Sequence, residues 1–162
     1  MRCASPAEFF ADLVRRGLPE ARYVGELYFQ AHRGTYTSQA KTKRGNRKSE
    51  FALREAEFWG AAAAALKRFR YPAAALNEAW RHVLLCQFHD VLPGSSIRRV
   101  YEETAAMHRA VVATAAEATR QALAAVADAS DPQAVTAFNS LSWNRTALVR
   151  LPDGLTRVAA AA

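Results

Sequence analysis

The chain has 162 residues, room for one domain with a substantial core and little more. It is 51 % hydrophobic, much of that alanine, with only 7 glycines and 6 prolines, which favours long helices over a turn-rich β fold. The formal charge is +7, from 22 Lys and Arg against 15 Asp and Glu, which raises nucleic acid or an acidic surface as a partner. The arginine bias of an alanine-rich chain accounts for that charge more simply, so nucleic acid is not the expected partner. Cys3 and Cys86 have no framework spacing, and the first residues lack the long apolar run of a signal peptide. A reducing, cytoplasmic setting is expected. With no apolar run of about 18 residues, no membrane span is expected either.

Ser5-Pro6-Ala7-Glu8 reads as an N-cap, a proline at the first helical position and the glutamate of a capping box. A helix should run to about Arg16 with Phe9, Phe10, Leu13 and Val14 inward, ended by Gly17-Leu18-Pro19. Tyr23 to Phe29 is short, aromatic and branched, and reads as an extended segment. His32 to Ser38 is a loop by its Gly, Thr and Ser content.

From about Ser38 to about Phe69 the pattern is helical, with Phe51, Glu55, Phe58, Ala62, Leu66 and Phe69 at three- and four-residue steps. Tyr71-Pro72 breaks it, and Pro72 can open a second helix with Leu76, Trp80, Val83, Leu84 and Phe88 on one stripe. Trp59 and Trp80 are expected to pack in the core between these helices. Pro93-Gly94 stops the second helix, and Ser95 or Ser96 should cap a third. Ile97, Val100, Tyr101, Thr104, Met107, Val111 and Ala115 step along its face towards Ala129. Three helices with short connections make an antiparallel three-helix bundle over residues 38–130. Beyond Ser130-Asp131-Pro132, Ala134–Phe138 and Thr146–Leu151 look like strands around a turn at Asn139–Asn144. They are too little to form a sheet alone, so residues 131–162 read as a linker and the start of a β domain. The expected fold is therefore mainly α: the bundle, preceded by a short helix and an extended segment, with β structure beginning at the C-terminus.

The chemistry concentrates in Gln87-Phe88-His89-Asp90-Val91-Leu92-Pro93-Gly94-Ser95-Ser96, where one helical pattern stops and the next begins. Neutral imidazole is a common zinc ligand, and a neighbouring carboxylate can complete a metal site or accept hydrogen bonds from vicinal sugar hydroxyls. The plainer alternative is a histidine favoured by the helix dipole and an aspartate before an ordinary turn. His32 to Gln39 gathers a cation, an imidazole, a phenol and hydroxyls that can line a polyol site, or simply form a polar surface turn. Lys41, Lys43, Arg44, Arg47 and Lys48 form a basic run that can bind phosphate but reads better as a solvated helix start. Positive charge there opposes the helix dipole and points to acidic neighbours elsewhere. His82 and His108 have no metal-like partner at i+4 and read as structural or exposed. Asn144-Arg145-Thr146 matches a glycosylation sequon, by chance in a chain without a secretory signal.

Three strings together resemble one family: Gly25-Glu26-Leu27-Tyr28 with His32-Arg33-Gly34-Thr35-Tyr36-Thr37-Ser38-Gln39, then Lys43 to Glu50, then Leu84 to Ser96. Their order and spacing are similar to the zinc-dependent retaining α-mannosidases of glycoside hydrolase family 38, in particular the bacterial-type branch. Phe138 to Arg145 resembles the start of that family's C-terminal β region. The resemblance implies that residues 1–37 are the tail of a catalytic β/α domain, that 38–130 are the middle bundle and that β-sandwich domains follow. It implies that His89 is a zinc ligand, that Asp90 contacts mannose hydroxyls, and that Arg33, Thr35 and Tyr36 border the sugar. The implied substrate is a mannose-containing oligosaccharide. Glu26 is the candidate acid. The family's His-x-Asp ligand motif and its nucleophilic aspartate have no counterpart here, so Met1 reads as a fragment boundary and the chain alone is expected to be inactive. The competing reading is a non-catalytic helical module, binding another protein or, through its basic run, nucleic acid.

Overall fold

The computed structural model of the chain describes residues 4–18, 20–26, 30–66, 68–127, 136–151 and 154–160. Helix α1 (Pro6–Arg16) starts as its sequence dictates. The Ser5 hydroxyl accepts from the Glu8 amide at 3.3 Å, and the Ser5 amide donates to the Glu8 carboxylate at 2.8 Å, satisfying two orphan donors. These bonds hold the Glu8 carboxyl below its usual range. The helix ends at Gly17, whose φ of 95° suits glycine. Its expected inward face is a correction: Phe9, Phe10 and Val14 are exposed, Leu13 is only half-buried, and no α1 residue is buried. The chain forms two compact units, Met1–Arg33 and Gly34–Ala162, and within the first no described helix offers α1 a surface to pack on. Tyr23 to Glu26 carry no regular structure, and the rest of the expected extended segment lies outside the described residues. The loop expected at His32 to Ser38 is instead mostly a 3-10 turn, Gln30–Tyr36, kinked at His32.

The second unit holds the bundle. Helix α2 (Ala40–Ala65), α3 (Ala73–Cys86) and α4 (Arg98–Val126) run up, down and up. Asn46 meets Gln87 and Glu57 meets Trp80, so α2 and α3 are antiparallel. Cys86 reaches Met107 across the α3–α4 pair. Leu53, Leu76, Val83 and Val111 are at most 2 % exposed and form the core with Ala56, Ala79, Ala115 and Ala118. Each of those larger side chains stabilises the fold by about 1.5–3 kcal/mol.

Burial follows a different α2 stripe from the expected one. Thr42, Asn46, Ser49, Leu53, Ala56, Gly60 and Ala63 face inward, whereas Phe51, Phe58 and Leu66 are exposed. The cause is close packing by small residues. A Cβ on Gly45 would collide with the His108 ring of α4, and one on Gly60 would sit 3.1 Å from the Tyr71 ring. Close backbone approach takes the face with the least bulk, and the aromatics are left outside. The helix stops at Ala65 rather than Phe69, with the Leu66 amide on Ala62 and the Arg68 amide on Ala63 as the chain folds back. On α3, Leu84 and Phe88 are likewise exposed, and Ala79 and Cys86 take their places. On α4 the buried set is Thr104, His108, Val111, Ala115, Ala118 and Ala122, while Ile97 is exposed. Trp59 and Trp80 are each half-buried: Trp80 packs beside the core and donates to Glu57 at 2.7 Å, and Trp59 donates to Glu55 at 3.1 Å.

Beyond α4 the chain returns to α2. Arg54 donates to the Ser140 hydroxyl at 2.9 Å and carbonyl at 2.8 Å, the Ser140 hydroxyl donates to Glu55 at 2.7 Å, and Phe138 stacks edge-on against Trp59 at 5.3 Å. Residues 136–140 therefore form a docked irregular segment where a strand was expected, and positions 134 and 135 lie outside the described residues. The expected later strand is present as β1 (Arg145–Leu151), but its partner is downstream: it pairs antiparallel with β2 (Gly154–Ala160), from Arg145 opposite Ala160 to Leu151 opposite Gly154.

Candidate functional site

The site is built where α3 ends. Gln87 closes the helix with its amide on the Val83 carbonyl at 3.0 Å. The Val91 and Leu92 amides bond back to the Phe88 carbonyl at 2.9 and 3.1 Å, folding Phe88 to Leu92 into a tight turn. His89 and Asp90 ride on it, with side chains 78 % and 59 % exposed. Neither ring nor carboxylate is committed to the core. His89 Nε2 stands 3.6 Å from Asp90 Oδ2, and the imidazole leans on the Phe88 ring at a centroid distance of 4.1 Å. The Asp90 carbonyl accepts from the Ser96 hydroxyl at 2.5 Å, and the Ser96 amide donates to the Tyr101 hydroxyl at 2.8 Å. Ser96 is therefore spent on the turn, and Ile97 takes the N-cap position of α4 without the side-chain cap expected from Ser95 or Ser96. The Asp90 carboxylate keeps free lone pairs towards solvent, with only a long 3.5 Å contact from the Ser95 hydroxyl.

A cleft of about 450 Å³ opens beside this turn. Thr35, Tyr36, Lys43, Asn46, Arg47, Leu92 and Pro93 line it. Thr35 and Tyr36 thus line the cleft together with Leu92 and Pro93, which stand two and three residues past Asp90. Below it lies a polar layer. Gln87 donates to Asn46 and to Glu50, both at 3.0 Å, Asn46 donates to Glu50 at 2.9 Å, and Arg47 pairs with Glu50 at 2.5 Å. Arg33 and Glu26 belong to the first compact unit, where both are exposed, and the Tyr23 hydroxyl donates to the Glu26 carbonyl at 2.9 Å.

Sequence reasoning reached His89, Asp90, Thr35 and Tyr36 but treated Lys43, Asn46 and Arg47 as part of a solvated basic run. Their spacing held the signal: 43, 46, 47 and 50 fall on one helix face. Among the described residues no three His, Cys, Asp or Glu side chains converge as a metal cage requires. His89 with Asp90 presents donors suited to part of such a site: an exposed ring nitrogen and an exposed carboxylate, both within reach of a group held from outside. No described helix is long and apolar enough to cross a membrane.

An antiparallel three-helix bundle with a polar tip and an adjoining cleft defines the class, a helical bundle domain. Residues 30–126 match the family described as the alpha mannosidase middle domain, more than half of the chain, and the chain belongs to that family. It is 49 % identical over 100 residues to an alpha-mannosidase of Saccharomyces cerevisiae, covering 59 % of this chain and 9 % of that protein. To alpha-mannosidase G of Dictyostelium discoideum it is 46 % identical over 110 residues, 67 % of this chain and 10 % of the relative. To alpha-mannosidase 2C1 of Mus musculus it is 36 % identical over 154 residues, 94 % of this chain and 15 % of the relative. The chain thus spans only 9 to 15 % of the length of these curated relatives.

Proposed function

We propose that this chain is the middle segment of a zinc-dependent α-mannosidase that removes terminal α-linked mannose with retention, in a cytoplasmic setting. The observation that carries the reading is the exposed His89–Asp90 pair at the tip of a bundle belonging to this family. His89 would hold the metal through a ring nitrogen, alongside ligands from polypeptide outside this chain. The bound zinc would supply a Lewis acid for the hydroxyls of the terminal sugar. Asp90 accepts hydrogen bonds from those hydroxyls and fixes the ring's orientation. Thr35 and Tyr36 wall the space where further sugar units lie. Retention needs two carboxyl groups about 5 Å apart across the scissile bond. The nucleophile comes from outside the chain, and Glu26 is the candidate acid. Arg47 is paired with Glu50, and Lys43 is turned onto backbone carbonyls, which leaves less of the basic run available to phosphate than its sequence suggests.

The decisive experiment joins this chain to the catalytic segment of a relative and measures hydrolysis of an aryl α-mannoside. His89→Ala and Asp90→Asn should each lower kcat/KM by at least about tenfold, the lower end of the loss seen when even a metal's supporting groups are removed. Full activity in both variants ends the reading. The isolated chain should bind zinc weakly through His89, and tight stoichiometric binding that survives His89→Ala would show the ligand to be another residue.

A further inference from the structure

Lys43 differs from its basic neighbours in what its ammonium touches. An ammonium has three donors, and here three backbone carbonyls face it: Ser38 at 2.5 Å, Leu92 at 2.8 Å and Pro93 at 3.4 Å. The last two lie 49 and 50 residues along the chain. A second contact closes the same joint. Gly94 has a φ of +103°, and a Cβ there would stand 2.7 Å from the Ser38 Cβ and 3.1 Å from the Ser38 carbonyl oxygen. The turn after α3 is thus pressed against the turn before α2. At its other end that turn is tied to α2 as well, by Gln87 on Asn46 and Glu50. His89 and Asp90 lie between these two anchors.

We propose that Lys43 is a positioning residue: from the first turn of α2 it pins the Leu92–Pro93 end of the tip, and so sets where His89 and Asp90 stand against the Thr35–Tyr36 wall of the cleft. Its importance for hydrolysis rests on the function proposed above, but the pin itself does not. Positive charge in the first turn of a helix opposes the dipole, yet this side chain is turned onto the carbonyls of the two neighbouring turns. Partial burial pushes the Lys43 ammonium down from its ordinary value.

The test is amide hydrogen exchange on the whole 162-residue chain, with ring resonances of His89 and His108 followed alongside. In Lys43→Met, which keeps the stem and removes the donors, exchange across 91–96 should quicken by about tenfold while the centres of α3 and α4 are unchanged. The His89 resonances should move and those of His108 should not. Lys43→Arg, which keeps donors for carbonyls, should recover part of the protection. Unchanged exchange at 91–96 overturns the proposal. So does uniform quickening or unfolding in both Lys43→Met and the milder Lys43→Gln, because Lys43 would then serve general stability. Loss of tip protection with zinc binding indifferent to His89→Ala upholds the pin and sinks the metal reading instead.

Discussion

His108 is the residue whose surroundings depart most from its chemistry. It is 5 % exposed, lies against Gly45, and its Nε2 is buried without a hydrogen-bond partner among the described residues. Burial holds its pKa below the ordinary 6.5. The unfolded chain therefore takes up that proton first as pH falls. Stability from this group is complete above about pH 6.5 and declines as pH drops through that value towards the folded pKa. Urea midpoints measured between about pH 7 and 5 should fall in the native chain and stay flatter in His108→Gln. Gly45 supplies the matching restraint. Gly45→Ala should cost about 1–3 kcal/mol by thermal or urea unfolding, even though alanine is the better helix former, because the added methyl meets the imidazole.

Among the elements, the segment 136–144 is the informative one, because it ties the C-terminal β region to the bundle through a few contacts. Arg54 makes two charge-assisted bonds to Ser140, and Phe138 adds an aromatic edge on Trp59. Arg54→Ala should release this segment at a cost of about 1–2 kcal/mol, since the guanidinium is half-exposed and its bonds are partly replaced by water. Limited proteolysis should then cut within 141–144 well before it cuts α2 or α4. Equal protection in the variant would mean that the aromatic contact alone holds the segment. The α2 face offers the converse lesson. Its heptad-like spacing of phenylalanines is a legitimate helix signal, and the helix is there. Which face is buried depended on glycine and alanine allowing α4 to approach, a pairwise property that no single-helix pattern contains.

For the molecule as a whole, the apolar residues left outside are the main consequence. Phe51, Phe58, Leu84, Leu85, Phe88 and Ile97 are all between 45 and 70 % exposed. An apolar surface of this kind marks a docking site or an association liability. The folded chain should bind a hydrophobic dye, and Phe51→Gln with Leu85→Gln should lower that signal while changing unfolding free energy by no more than about 0.5 kcal/mol. A dye-silent native chain would show that these side chains are dispersed rather than contiguous.

Local chemistry alone determined the helices, the capping box at Ser5 and Glu8, the breaks at Pro72 and Pro93-Gly94, and the display of His89 and Asp90. Each depends on residues within a few positions of one another, so periodicity and turn preference suffice to read them. The resemblance carried by three strings likewise placed the chain in its family. Tertiary structure decided the rest. The buried face of α2, the seat of Ser140 on Arg54, the strand partner of β1 and the grip of Lys43 on Leu92 and Pro93 all join groups brought together by folding. Their energies depend on close approach between backbones and on carbonyls presented by a distant turn, and neither is encoded in the spacing of any one segment.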